Sequence, residues 1–233
     1  MRGMPALKPF VVVTGHYGCG KTNLSLNLAL DLAGRGGAAT IVDLDVVNPY
    51  FRSSDYTAML AGRGVRVISP TFAGTTLDTP SLSAAVYSAF ESTDAVVFDV
   101  GGDDAGATAL GRFAAEFARI DHDLLYVVNH YRNLTATPAE AAALLGEIEA
   151  VSRLTATGVV NNSHLRDETT TATVLDAVDY GRETAALLGL PLICTTVPRR
   201  IVSGFSEDPR DASFVENAYP IEIHVRTPWE DHT

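Results

Sequence analysis

Eight consecutive residues, Gly15-His16-Tyr17-Gly18-Cys19-Gly20-Lys21-Thr22, place glycines, a lysine and a hydroxyl at the spacing GxxxxGK[ST]. Glycines at those positions let a loop curl so that its backbone N–H groups point inward, a concavity suited to anionic oxygens. A following helix N-terminus adds partial positive charge. Lys21 is then expected to reach the outer phosphates of a nucleoside triphosphate and the Thr22 hydroxyl to ligate Mg²⁺. The residues from Gly15 to Asn23 form the expected phosphate-binding set. An apolar run precedes the motif and a helix-like segment follows it, the context this chemistry requires.

Carboxylates supply the second half of such a site. Val96-Val97-Phe98-Asp99 reads as a buried strand ending in an aspartate, which can hold Mg²⁺ through water. Asp99-Val100-Gly101-Gly102 also fits DxxG, bringing a Gly102 N–H near the outermost phosphate. In Asp43-Leu44-Asp45 strand alternation puts both carboxylates on one side. Asp45, nearest the strand end, is expected to contact the metal and orient the attacking water or hydroxyl. Asp103 and Asp104 are read as caps of the next helix. Arg52, after Asn48-Pro49-Tyr50-Phe51, and Arg132, in His130-Tyr131-Arg132, are candidates for a phosphate or an acidic substrate. The simpler reading of His130–Arg132 is a loop that packs Tyr131 and solvates Arg132. His122, His164, His224 and His232 lack metal-ligand spacing and are read as structural. Asp167 to Thr171 reads as the capping region of a helix.

The elements that must position these residues are legible as apolar, β-rich runs at residues 10–14, 40–44, 65–69, 95–100, 124–129, 157–161 and 192–197. Most are continuous in Val, Ile and Leu, which suits strands covered on both faces of a parallel sheet. Helical segments are expected at 23–33, 107–118, 138–151 and 171–188. Such alternation gives an α/β fold, doubly wound, with a mostly parallel sheet and helices on both faces. Leucines at 24, 26, 28, 30 and 32 imitate a strand period. The lack of β-branched residues after Thr22 favours a helix buried all round, stopped by Gly34, Gly36 and Gly37. One domain over 1–233 is expected, with an irregular segment at 199–233 and an edge strand near 221–225.

Composition narrows the classes. Apolar residues make up 46% of the 233, enough for a sizeable core. The formal charge of −11, from 28 acidic and 17 basic residues, argues against a general nucleic-acid surface. No run approaches the ~20 apolar residues of a membrane helix, and the N-terminal apolar run is too short for a signal peptide. Two cysteines without ligand spacing argue against zinc and fit a reducing, cytoplasmic setting. For Cys19 the helix N-terminus is expected to lower the thiol pKa.

The phosphate loop, Asp43-Leu44-Asp45, Asp99 to Gly102 and Gly158-Val159-Val160-Asn161-Asn162 occur in an order that resembles MinD/ParA-type ATPases (SIMIBI class), a superfamily that includes dethiobiotin synthetase and the CobQ/CobB amidotransferases. The likeness spans roughly residues 10–200. It is nearest to a poorly characterised bacterial branch carrying Val-Asp-Leu-Asp-Val-Val-Asn-Pro-Tyr-Phe-Arg and Asp-Val-Gly-Gly-Asp-Asp-Ala-Gly-Ala. The resemblance implies an adenine-reading asparagine, Asn162 by its spacing from Gly158 with Asn161 as fallback, and backbone near Pro198 against the base. No NKxD guanine motif is present, so ATP is the expected nucleotide. His16 stands where ParA-type proteins carry a second lysine that crosses a dimer, and its side chain is shorter. The membrane-binding C-terminal helix of MinD is missing, and two cysteines, one in the phosphate loop, do not fit the cluster bridge of a nitrogenase iron protein. These departures weigh against membrane and DNA partners. Three roles follow: an ATP-dependent homodimer switch acting on a partner protein, an ATP-dependent enzyme acting on a carboxylic substrate, or a nucleotide-binding regulator without turnover.

Overall fold

A computed structural model describes residues 5–45, 52–69, 84–102, 104–205 and 217–225. The sheet has eight strands: β1 (Phe10–Gly15), β2 (Ala39–Leu44), β3 (Val65–Ile68), β4 (Ala95–Val100), β5 (His122–Val128), β6 (Gly158–Asn161), β7 (Leu192–Pro198) and β8 (Ala218–Ile221). Their order is β3-β2-β4-β1-β5-β6-β7-β8 and every pairing is parallel. After β1 the chain crosses beyond β4 to β2, and from β5 onward it builds away on the other side. The strand order therefore reverses at β1, and a crevice opens at the carboxyl ends there.

The continuous apolar strands feed two cores, as expected for a sheet covered twice. Val12, Val42, Phe98 and Tyr126 point to one face, beneath α4 (Asp104–Gly111), α6 (Pro138–Ser152) and α8 (Val178–Leu188). Val11, Val13, Ile41, Val97 and Leu125 point to the other, beneath α1 (Lys21–Gly34). Leu24, Leu26 and Leu28 are all buried, so the two-residue leucine spacing does wrap a helix in apolar surface. α1 begins at Lys21, inside the motif, and ends at Gly34 before Gly36 at φ 88°.

Several expected elements are divided or displaced. The helix expected over 107–118 is two: α4 and the short α5 (Ala114–Phe117). The Arg153 guanidinium donates to the Gly111 carbonyl, and a Cβ at Gly111 would lie 2.9 Å from the Val151 carbonyl oxygen. The end of α6 thus presses on the break, and the Arg153 side chain takes the carbonyl that a longer helix would use. The helix expected over 171–188 divides at Ala177 into α7 (Thr171–Asp176) and α8; the Ala177 carbonyl accepts from Asn161 Nδ2 at 2.8 Å. Thr170 caps α7 through its hydroxyl and Thr137 caps α6. A 3₁₀ turn at Ser53–Tyr56, α2 (Thr57–Ala61) and α3 (Ala84–Ala89) complete the described helices.

The last strand is β8, not 221–225. Residues past Ile221 leave the sheet because side chains of α1 take their backbone. Asn27 Oδ1 accepts the Glu222 N–H at 2.8 Å, and Asn23 Oδ1 accepts those of His224 and Val225. Both amides donate back to the Glu222 carbonyl. Within the segment expected to be irregular, Arg199–Phe205 forms a 3₁₀ turn.

Candidate functional site

The loop between β1 and α1 lies at the crevice. Gly15, Gly18 and Gly20 all have positive φ, and at Gly20 a Cβ would fall 2.3 Å from Asn162 Nδ2. Both backbone conformation and space therefore require glycine at Gly20. Lys21 is 7% exposed and folds back across the loop, donating to the His16 carbonyl at 2.9 Å. Gly102 lies against Tyr17 and the Lys21 ammonium, so the DxxG turn of β4 abuts the middle of the loop.

Asp99 ends β4 beside Asp43, its register partner on β2. It is fully buried. Ser25 donates to Oδ1 at 3.1 Å and Thr22 is also hydrogen-bonded to the carboxylate. The second oxygen, Oδ2, has no partner. Burial, then the neighbouring Asp43 charge, pushes the Asp99 pKa up to about 7. Asp43 is also raised by burial, partly offset by bonds from the Ser54 hydroxyl at 2.6 Å and the Asp45 and Ser54 amides. Asp45 lines the cleft beside Gly101. Hard oxygens from Thr22, Asp99 and Asp45 at a strand edge are the donor set Mg²⁺ takes. The Asp99 oxygen without a partner among the described residues, on a carboxylate that Thr22 also contacts, fits such an ion.

A cleft of about 290 Å³ runs along the loop. It is bounded by Gly18 to Asn23, by Asn129, Arg132 and His164 from the β5 and β6 ends, and by Ile223 and Val225 from the C-terminal segment. Arg132 reaches into it over Gly18, and its Nε has no hydrogen-bond partner. Arg132 is half-buried, with its Nε covered, and Tyr131 packs as expected, donating to the Thr173 carbonyl. His164 was expected to be merely structural; it lines this cleft and its Nε2 is buried and unpartnered. No spacing rule could single it out, because its neighbours in the site come from residues 18–23, 132 and 223–225.

The two asparagines at the β6 end are committed to the protein. Asn162 Nδ2 donates to the Cys19 carbonyl at 2.7 Å, and its Oδ1 accepts from Thr196, so it ties the loop to β7. Asn161 faces α8 at Gly181, away from the loop. Pro198 ends β7, buried and outside the cleft lining. Asn23 lines the cleft while binding residues 222–225. His16 Nδ1 bonds to the Tyr17 carbonyl. Arg52 lies near Asp43, outside the cleft lining. Asp104 is the first residue of α4 and stands in its first turn, while Asp103 and the Asn48–Phe51 stretch lie outside the described residues, as does His232. The Cys19 expectation is reversed. Complete burial outweighs Lys21 and the loop N–H groups and raises the thiol pKa.

The chain matches no family model and no curated protein sequence. Among solved structures it is similar to the cell division protein FtsY of Thermotoga maritima, at 19% identity and TM-score 0.56, over 84% of this chain and 64% of that one. FtsY of Mycoplasma mycoides gives 17% and 0.56 over 81% and 59%. The signal recognition particle 54 kDa protein of Aeropyrum pernix, solved with GDP, gives 17% and 0.56 over 82% and 42%. The chain thus spans less than two thirds of these proteins' length. The shared element is the parallel α/β fold of P-loop nucleotide-binding proteins. In this chain the complete phosphate loop lies between the first strand of that fold and its first helix. No helix among the described residues is long and apolar enough to cross a membrane.

Proposed function

We propose that the protein binds ATP with Mg²⁺, hydrolyses it, and acts as a nucleotide-dependent homodimer switch on a partner protein in the cytoplasm. The carrying observation is the phosphate loop itself, with Lys21 folded over it and the Thr22 hydroxyl beside the unpaired oxygen of Asp99. Lys21 and the loop N–H groups would offset charge on the transferring phosphoryl group, and Asp45 would orient the attacking water. Thr22, Asp99 and Asp45 would hold the metal, which supplies further charge neutralisation when bound. ATP is preferred because no guanine-reading NKxD motif follows β6; the GDP bound in the Aeropyrum relative belongs to a protein only 17% identical.

The loop's exposed flank supports a switch. Tyr17, in mid-loop, is 57% exposed. Beside it a second cleft of about 320 Å³ is lined by Leu144, Glu147, Ile148 and Val151 of α6 together with Gly102. A second protomer seated there would touch the loop and the DxxG turn at once. Molar mass by light scattering, on Asp45→Ala with Mg²⁺ and no nucleotide, ADP or ATP, tests this reading. Doubling with ATP alone is expected. A mass that ignores nucleotide would refute the switch and favour the second reading. That reading is an ATP-dependent enzyme on a carboxylic substrate, for which the unpaired Arg132 is the motivating group.

A further inference from the structure

Two buried nitrogen donors belong to the 290 Å³ cleft and lack an acceptor among the described residues: His164 Nε2 and Arg132 Nε. Arginine can only donate. The histidine tautomer is set by its other nitrogen, because Nδ1 accepts the Arg166 backbone N–H at 3.2 Å. The ring proton therefore sits on Nε2, and that N–H is unsatisfied. Buried donors are almost always paired in folded proteins, so two such donors in one cleft suit an acceptor that enters it.

The character of that acceptor follows from the surroundings. His164 is 5% exposed. Burial, with the Arg132 and Arg166 charges, lowers its pKa to about 4, so it donates as a neutral group. The same cleft is walled by Ile223 and Val225, held in place by the Asn23 amide at the start of α1. A flat ring with in-plane lone pairs satisfies both features: its edge takes the N–H and its faces cover the aliphatic wall. Free phosphate would satisfy only the first. Lys21 and Gly102, the groups expected to meet phosphate, line the phosphate-loop side of this same cleft.

Resting on the nucleotide reading above, we propose that His164 is a specificity-determining residue that donates its Nε2–H to a ring nitrogen of the bound purine, with Ile223 and Val225 forming the apolar side of the base pocket. The asparagines at 161 and 162 are then positioning residues for β6 and the loop, since their amides are already occupied.

Titration with Mg²⁺ and ATP, 1-deaza-ATP, 3-deaza-ATP, 7-deaza-ATP or tripolyphosphate tests this on wild type, His164→Leu and His164→Gln. One deaza analogue is expected to bind wild type roughly 3- to 10-fold more weakly than ATP, the size of one lost hydrogen bond. That penalty should vanish in His164→Leu and persist in His164→Gln, which keeps a terminal N–H. Tripolyphosphate should bind all three proteins alike. If every deaza analogue binds wild type as ATP does, or the penalty survives in His164→Leu, the proposal is overturned. If His164→Leu weakens tripolyphosphate as much as ATP, the donor serves phosphate and the base-edge role is also overturned. Each protein is its own reference, so a general loss of stability cannot imitate the pattern. Should wild type bind tripolyphosphate and ATP equally, the base pocket fails; should it bind neither, the nucleotide reading itself fails.

Discussion

The two sides of β1 carry opposite chemistry at their carboxyl ends. On the β2 and β4 side stand Asp43, Asp45 and Asp99, two of them buried side by side, with one carboxylate oxygen unpaired. On the β5 and β6 side stand Arg132 and His164, with two donors unpaired. One half presents carboxylate oxygens and the other N–H donors, and the phosphate loop runs between them. A ligand that brings both a metal and hydrogen-bond acceptors would satisfy each half. That complementarity is what a Mg²⁺–nucleotide supplies.

The comparison can be broken first at the loop the halves share. Lys21→Ala should weaken ATP binding about 100-fold, the worth of a strong charged hydrogen bond; calorimetric titration that returns near wild-type affinity would remove Lys21 from the site. Acting on the acidic half alone, Asp45→Ala should lower the hydrolysis rate by roughly 10- to 100-fold, as expected of a residue that orients the nucleophile. Its ATP affinity should change much less, and undiminished phosphate release would show that Asp45 does not take part. On the other half, Asn162→Ala removes a buried amide that bonds both Cys19 and Thr196. It should cost about 1–3 kcal/mol in a urea denaturation, and a change near zero would mean the loop does not depend on that tie.

Protonation separates the halves by sign. In metal-free buffer Asp99, raised from 3.8 to about 7, keeps its proton in the folded state, so its contribution to stability is lost as pH rises across that window. His164, lowered from 6.5 to about 4, has the reverse sign: the unfolded chain takes up the proton first, and stability is lost as pH falls from 6.5 toward 4. Relative to wild type, Asp99→Asn should gain stability as pH rises through this range. His164→Leu should gain relative to wild type as pH falls. Parallel urea midpoints at the two ends of the window check both, and slopes of equal sign would contradict the assignment of either group.

Much of the acidic half was legible in advance because it is local. Lys21 and Thr22 sit within one eight-residue pattern. Asp43, Asp45 and Asp99 end continuous apolar runs, and a parallel sheet brings such ends to one edge. The other half was less legible. Asn161 and Asn162 are adjacent, yet one faces α8 and the other the loop, because successive strand residues point to opposite faces and only packing says which is which. Arg132 has no motif, and its place over Gly18 follows from the path of the loop after β5. His164 looks like any histidine after a strand until α1 and the C-terminal segment are seen to border the same cleft.

What the sequence alone determined is whatever depends on spacing along the chain: the phosphate loop, the two-faced strands, the leucine-wrapped first helix and the capped start of α7. Tertiary structure alone decided what depends on groups far apart in the chain. The Arg153 side chain takes the Gly111 carbonyl and divides a helix that periodicity makes continuous. Asn23 and Asn27 capture the backbone of residues 222–225, about two hundred positions away, and turn an expected strand into a wall of the cleft. Burial reverses the expected acidity of Cys19. Local pattern registers which surfaces are apolar and which turns are possible; desolvation and the pairing of distant polar groups exist only once the chain has folded.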